Sequence, residues 1–401
     1  MLRDYQRSAT VAMINDLQNN NHSLLCLPTA AGKSWIISAF VAYTKIPTLI
    51  LCPSKEILEQ DMDKLSRLVP KDDIGVFSAS LGRKDIKMFT FATIGSIFRK
   101  PQMFREFKVV IVDECQNVRS DKDDSMYMKL FRANNYSKIF GITATPFLNV
   151  SEMEFLGVED GQRVFQTSSK LQVMCRMDDG FWKDIIYSVT PKEIEALGFT
   201  VPVKYLSCAL IPDDQLRLKR DGSDFDENYF AYKTRNQESV IVDNITYCSE
   251  NYRSVLVFCS TIAQANVLSS LVDGSVVVTS KTHPKERAQT ISDFKSGRIK
   301  VVFNVSCLTV GFDHPSLDCL VMLRPTKSLG LWQQFVGRGV RISPETNKTK
   351  CDVIDFAGNH KRLGDASDIR IEKTPQGWDV VSGGMKWHDK EVSSFVVKSS
   401  S

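Results

Sequence analysis

An α/β fold in two successive domains, each a mostly parallel sheet covered by helices, is what this 401-residue sequence predicts. Three observations lead there. Short apolar runs rich in Val, Ile and Phe alternate with stretches of helical periodicity, the βαβα rhythm of a parallel sheet. That rhythm occurs twice, with a break near residue 200. The first apolar run is followed at once by a Gly-Lys-Ser turn and a helix, the order in which an α/β sheet presents a phosphate-binding loop.

Composition sets the frame. Hydrophobic residues make up 43% and charged residues 24%, the balance of an ordinary globular chain long enough for two domains. No apolar stretch approaches the roughly 20 residues of a membrane span. The opening "MLRDYQRSATVAMINDLQNN" reads as a polar amphipathic helix with no apolar core of a secretory signal. The ten cysteines are scattered and form no C-x-x-C pair, so they read as buried thiols of a reducing compartment and not as a zinc site or disulfide framework. A net charge of +4 permits a nucleic-acid partner without demanding one.

In the first domain, "HSLLCL" (22–27) has strand length and "KSWIISAFVAYT" (33–44) has apolar residues at helical spacing. Between them lies "PTAAGKS" (28–34). Gly32 lets backbone N–H groups close on phosphates, Lys33 supplies a point charge, and Ser34 offers a hydroxyl to Mg²⁺. Leu27 stands where the general G-x-x-x-x-G-K-[ST] pattern has its first Gly, and an ordinary strand-to-helix turn would also accommodate a chance Gly-Lys pair. Further strand runs are "TLILCP" (48–53), "MFTFAT" (88–93), "KVVIVDE" (108–114) and "KIFGITATP" (138–146). Asp113 and Glu114 end a buried strand, where an α/β sheet presents ligand-binding groups. Asp113 is expected to hold Mg²⁺ through water and Glu114 to orient the attacking water, although an acidic strand end is also commonly just solvated. Residues 151–184 are less regular and read as a surface insertion, and "TPKEIEALG" (190–198) as a capped helix.

The second series runs through "VKYLSCAL" (203–210), "SVLVFCS" (254–260), "SVVVTS" (275–280), "KVVFNVS" (300–306), "LDCLVMLR" (317–324) and "CDVIDFAG" (351–358). In "QQFVGRGVR" (333–341) Arg338 and Arg341 are three apart, so both can face one side of a helix. A cation there could stabilise charge at phosphoryl transfer; two exposed arginines on a helix face would look the same. The tail after about residue 361 is weakly patterned and gives no role.

Taken together, the blocks resemble a superfamily 2 helicase or translocase from residue 2 to about 359. "LRDYQ" (2–6) resembles the adenine-reading Q-type motif, with Gln6 as the base contact. "PTAAGKS" resembles motif I, in which the family form begins x-P-T, so the missing first glycine is normal there and Ala30 is the departure. "LILCPSKEILEQ" (49–60), "FATIGSI" (91–97), "DECQ" (113–116) and "GITATP" (141–146) resemble motifs Ia, Ib, II and III. "LVFCSTIAQA" (256–265), "NVSCLTVGFDHP" (304–315) and "QQFVGRGVR" resemble motifs IV, V and VI.

The resemblance implies two tandem RecA-like domains, 1–199 and 200–360, with the ATP site in the interdomain cleft, followed by the tail 361–401. It implies ATP and Mg²⁺ as cofactors, bound by Gln6, Pro28, Thr29, Ala30, Ala31, Gly32, Lys33, Ser34, Gly311 and Asp313, with Ser34 and Asp113 toward the metal. Lys33, Asp113, Glu114, Arg338 and Arg341 are its catalytic candidates, and Gln116, Thr143, Thr145 and Gln334 couple the nucleotide to the track. Nucleic acid would contact Ser54, Lys55, Thr93, Ser96, Ser260, Thr261, Thr279, Ser280 and Thr309, small or basic groups at strand ends, each of which serves equally well as a helix cap or turn residue.

Within the superfamily the stretch 308–341 followed by "DVIDFAGN" (352–359) looks most like RadD-type DNA helicases, with phage UvsW-type branch-migration helicases and restriction-enzyme motor subunits close behind. The tail carries no cysteine after Cys351, unlike the zinc segment of RadD-type proteins, and the first motif begins at residue 2, unlike UvsW-type proteins with a preceding domain. The expectation is a stripped monomeric DNA motor in the cytoplasm of a bacterium or phage-infected cell, without structural zinc or membrane. It would act on branched or duplex DNA without reading sequence, and any strand-splitting wedge would come from 151–184, from the tail or from a partner. An RNA helicase and a nucleotide-gated clamp that does not step are the alternatives.

Overall fold

The computed structural model describes residues 2–159, 162–308, 312–388 and 390–399. The chain divides into two compact units. One comprises Met1–Leu148, Gln172–Thr190 and Ile371–Val380; the other comprises Asn149–Leu171, Pro191–Arg370 and Val381–Ser401.

The strands of the first unit's sheet are β1 (His22–Cys26), β2 (Thr48–Cys52), β3 (Ile74–Ser78), β4 (Arg83–Asp85), β5 (Phe89–Thr93), β6 (Val109–Asp113) and β7 (Lys138–Thr143). After a hairpin of β8 (Phe147–Glu159) and β9 (Gln162–Val173), β10 (Trp182–Ser188) returns to that sheet. The order is β10-β1-β7-β6-β2-β5-β3-β4. Its paired strands run parallel except β4 against β3. Every residue of β2, β3 and β6 is buried, which is why Val, Ile, Leu and Phe run there without alternation. Three helices matter for the site: α1 (Asp4–Asn15), α2 (Lys33–Thr44) and α3 (Lys55–Leu65). α2 lies on the sheet through Ile36, Ile37, Phe40 and Val41, with Phe40 edge-on to Phe140 of β7 at 5.5 Å.

The second sheet contains β11 (Val203–Ser207), β12 (Val255–Cys259), β13 (Val276–Val278), β14 (Val301–Asn304), β15 (Cys319–Leu323) and β16 (Cys351–Asp355), all parallel in the order β11-β16-β15-β12-β14-β13. These are the six apolar runs of the sequence. Val257, Phe303, Val321 and Ile354 from four of them pack with Ile241, Ile245 and Leu268 from the covering helices.

One expectation changes, and the tail, which the sequence left without a role, gains a structure. Residues 151–184 are not irregular: they hold the rest of the long β8 strand, all of β9 and the start of β10. The tail is also strand, in β17 (Arg370–Thr374), β18 (Gly377–Ser382), β19 (Met385–Lys386) and β20 (Glu391–Ser399). β20 pairs antiparallel with β9, so the hairpin and the chain end form one three-stranded sheet in the order β20-β9-β8. Both segments lacked a buried-strand signature because neither carries a continuous apolar run. The two hairpin strands are 13 and 12 residues long, with Phe155, Leu156 and Val158 exposed.

Candidate nucleotide site and motor residues

The first sheet gathers its functional candidates at the carboxyl ends of its strands. β1 feeds the loop 27–32, and Leu27 N donates to Thr143 O at 2.8 Å, so the loop starts against the end of β7. The chain then crosses over, because β2 pairs with β5 and β6 and not with β1. Such a switch in strand order opens a crevice at the strand ends.

The loop is shaped by two residues with positive φ. Gly32, at +74°, opens α2, and a Cβ there would lie 2.6 Å from Gln6 Nε2. Ala30, at +68°, adopts a left-handed conformation that L residues avoid. The Q-type segment braces this loop from outside: Gln6 Nε2 and the Tyr5 hydroxyl both donate to Ala31 O, at 2.9 and 3.0 Å. Gln6 Oε1 accepts from Arg3 N at 3.0 Å. Pro28 O accepts from Ala31 N at 3.2 Å, and Thr29 lies partly exposed between them.

Lys33 opens α2 and reaches across to β6. Its ammonium pairs with Glu114 and lies 3.8 Å from Asp113 Oδ1. Burial alone would lower its pKa, but Glu114 and Asp113 outweigh that and hold it well above the ordinary lysine range. Asp113 goes the other way. Burial pushes its carboxyl up to about 7; Lys33 opposes this while Glu114 and Asp61 add to it. Its Oδ1 is buried without a hydrogen-bond partner. Glu114 itself sits at φ 52°, ψ 52°, a left-handed turn straight after the strand that aims its carboxylate back at Lys33.

From Glu114 a chain of hydrogen bonds leads to β7. Gln116 Nε2 donates to Glu114 Oε2 at 2.9 Å, the Thr143 hydroxyl donates to Gln116 Oε1 at 2.5 Å, and Thr145 N donates to Thr143 Oγ1 at 2.9 Å. Thr143 and Thr145 are buried. Loop 28–34, the 113–116 turn and the end of β7 are thus one hydrogen-bonded assembly. Sequence reading missed two members of it. On α3, Lys64 Nζ donates to Ser34 Oγ at 2.9 Å, and the pKa of the buried Asp61 carboxyl, pushed up by burial, is held down in part by the Ser34 hydroxyl. The available signal was an Asp on a helix face otherwise marked by Leu58 and Leu65.

In the second unit Arg338 and Arg341 do not share a helix face. The helix Leu329–Val336 ends before them; Gln334 lies on it, partly exposed. Gly339 packs so closely on β16 that a Cβ would lie 2.3 Å from Cys351 Sγ, and this close pass carries the chain out of the helix. Arg338 is buried and donates from Nη1 to Phe312 O at 2.8 Å. Arg341 pairs with Asp313 and bridges to Thr200. Gly311 and Thr309 lie outside the described residues.

The nucleic-acid candidates sit at strand ends with most of their hydroxyls engaged locally. Ser54 caps α3 and Thr261 caps Ile262–Ser270. Thr93 and Ser96 bond each other at 2.8 Å. The Ser260 hydroxyl donates to Leu323 O at 2.7 Å, and Thr279 Oγ1 accepts from Lys281 N at 3.1 Å. Lys55 opens α3 half-buried, and Ser280 is exposed.

Known proteins match this arrangement. Residues 1–148 fit the family described as type III restriction enzyme, res subunit, and residues 237–343 fit the helicase conserved C-terminal domain. The chain is similar to the protein named ATP-dependent helicase IRC3 of Saccharomyces cerevisiae, at 24% identity over 98% of this chain and 56% of that protein. It is 25% identical to the DNA 3'-5' translocase XPB2 of Sulfurisphaera tokodaii over 86% of this chain and 79% of that one. A fragment described as an HsdR subunit of a type I restriction enzyme from Vibrio vulnificus superposes with a TM-score of 0.64 at 19% identity, covering 90% of this chain and 65% of that one. The chain belongs to helicase superfamily 2. It spans 56% and 58% of the two fungal helicases it matches.

For a superfamily 2 chain, the residues on hand fit a divalent cation. Asp113 brings a buried, unpartnered oxygen, Ser34 brings a hydroxyl, and the Lys64 ammonium already stands on that hydroxyl. Among the described residues no group of three or more His, Cys, Asp or Glu is placed to hold a metal alone. Among the described residues no helix is long and apolar enough to cross a membrane.

Proposed function

We propose that this chain is an ATP-hydrolysing DNA translocase that remodels branched DNA, with residues 1–199 and 200–360 as its two RecA-like domains. The observation that carries the reading is the joined assembly of Lys33, Asp113, Glu114, Gln116 and Thr143. In this reading the loop amides and Lys33 hold the phosphates of ATP, and Ser34 and Asp113 face Mg²⁺, which neutralises phosphate charge. Glu114 orients the attacking water, and Gln116 with Thr143 passes the state of the site to β7. DNA as the track is supported by the relative named a DNA 3'-5' translocase, and by a type ISP restriction-modification enzyme bound to DNA that shares the fold at a TM-score of 0.62. The likeness to RadD- and UvsW-type motors supports branched substrates. So does energetics: opening a duplex costs about 1.4 kcal/mol of stacking per step, whereas at a junction each pair lost is replaced by one gained. A cytoplasmic setting is supported by ten free cysteines, seven of them buried.

A second reading, a strand-separating helicase, is favoured by the β8–β9 hairpin with its exposed Phe155, Leu156 and Val158. One experiment separates the two: ATP turnover and product formation with single-stranded, tailed duplex, forked and four-way DNA and with RNA, across a salt series. Junction DNA should stimulate most and be remodelled best. Equal or faster unwinding of a plain tailed duplex favours the separating helicase, and stimulation by RNA alone overturns the DNA assignment. Lys33→Ala should abolish turnover with every substrate, and Glu114→Gln should keep ATP binding and lose hydrolysis.

A further inference from the structure

On α3 the side chains that face inward are Leu58, Asp61 and Leu65, at the spacing of one helix face. An apolar residue is the cheap choice at the middle position, because a buried carboxylate is costly unless it is bonded. Asp61 is 3% exposed. Burial raises its carboxyl pKa while the nearby Ser34 hydroxyl works against that rise, and its Oδ2 is buried with no hydrogen-bond partner. A second carboxylate with an unpartnered buried oxygen, Asp113, is close enough for each to feel the other's charge. Lys64, one turn on from Asp61, donates to Ser34 Oγ at 2.9 Å.

A hydroxyl has one hydrogen and two lone pairs. Ser34 Oγ already accepts from Lys64, so its own hydrogen must point elsewhere, and the buried Asp61 carboxylate is the acceptor α3 offers it. Resting on the reading of this loop as a Mg²⁺-nucleotide site, we propose that Asp61 is a positioning residue for the divalent cation. It fixes the Ser34 hydroxyl with a lone pair toward the metal, and Lys64 is the resident cation that the metal displaces. Nothing in the phosphate loop itself supplies this function; it comes from α3, beyond the motif. Partners that orient a metal ligand in this way typically change metal affinity by about 10–100-fold when removed. A carboxylate retained only for packing would change fold stability and leave metal affinity alone.

The test uses the full chain and a fluorescent ADP analogue, titrated with Mn²⁺ or Mg²⁺ and separately in EDTA, with thermal melting in EDTA as a control. Asp61→Asn keeps shape and removes the charge that orders the hydroxyl. It should raise the cation concentration at half-binding by about 10-fold or more, while nucleotide affinity in EDTA and the melting temperature are kept. Lys64→Met removes the competitor, and should move the cation midpoint to lower concentration. An unchanged midpoint in both variants overturns the proposal, as does an equal loss of nucleotide binding with and without cation. If the parent chain itself binds no ADP analogue with or without cation, the nucleotide-site reading fails, and this inference with it. A parent that binds and variants that do not shift defeat the positioning role alone.

Discussion

The Thr143 hydroxyl donates to Gln116 Oε1 at 2.5 Å, in a buried setting at the end of β7. Because Gln116 also holds Glu114, a change at the reacting phosphate and a change at the strand end share one amide. Buried hydrogen-bonded groups of this kind act as a unit. Gln116→Leu and Thr143→Val should each lower DNA-stimulated ATP turnover by about 10-fold, with nucleotide affinity changed much less, and the double variant should be no worse than the worse single one. Steady-state turnover with and without DNA measures this; additive losses in the double variant would remove the coupling role.

Ala30 carries a left-handed φ of +68° in the phosphate loop. That conformation costs an L residue about 1–2 kcal/mol, more than the extra chain entropy of glycine takes back. Ala30→Gly should therefore stabilise the chain by roughly 0.5–1 kcal/mol and raise its melting temperature by about 2 °C, with nucleotide binding retained. Calorimetry decides, and a lower melting temperature would show that the loop is relaxed with alanine.

Arg341 pairs with Asp313, whose side chain is 41% exposed. An ion pair so open to water holds by no more than about 1 kcal/mol, so Arg341 can leave it for a stronger charge. Arg341→Ala should lower turnover by roughly 10³-fold and change ATP affinity only a few-fold, the mark of a group acting in the transition state. Asp313→Asn should leave turnover nearer the parent's than Arg341→Ala does. Weaker ATP binding as the sole defect of Arg341→Ala would assign it to the ground state.

His22 opens β1 beside Lys138, against the Phe181 ring at 4.9 Å. Burial, with the Lys138 charge adding to it, pushes its pKa from 6.5 down to about 4. The folded ring stays neutral while the unfolded one takes a proton, so this contribution to stability is whole above about pH 6.5 and is lost as pH falls toward 4. His22→Phe keeps a ring against Phe181 and removes the proton site. Its stability relative to the parent should rise by about 1–2 kcal/mol between pH 7 and pH 4.5, reduced from the full linkage value because the ring is partly solvated. Denaturant unfolding at the two pH values reads this, and a pH-independent difference would remove His22 from the account.

The sequence by itself determined the doubled α/β architecture and the chemistry at the strand ends. Strands buried on both faces must be apolar throughout, so "LILC" (49–52), "VVIVD" (109–113) and "VLVFC" (255–259) declare themselves. A phosphate loop and an Asp-Glu strand end are likewise written in adjacent residues. What lies on an edge or depends on distant partners is not. Trp182–Ser188 joins the first sheet beside β1 although Lys183 and Asp184 interrupt it, because an edge strand is buried on fewer sides. Lys138 reads as the polar start of a strand, yet it is fully buried among Asp16, the Asn21 carbonyl and Ser23, more than a hundred residues away. The helix predicted through Arg338 and Arg341 stops short, because Gly339 packs where only glycine fits against Cys351. Only the tertiary structure could pair the hairpin with the tail, set Ala30 and Glu114 in left-handed turns, and bring Asp61 and Lys64 of α3 onto Ser34. Local pattern reports how much apolar surface a segment must bury. Which polar groups then meet is decided by packing between segments far apart in the chain.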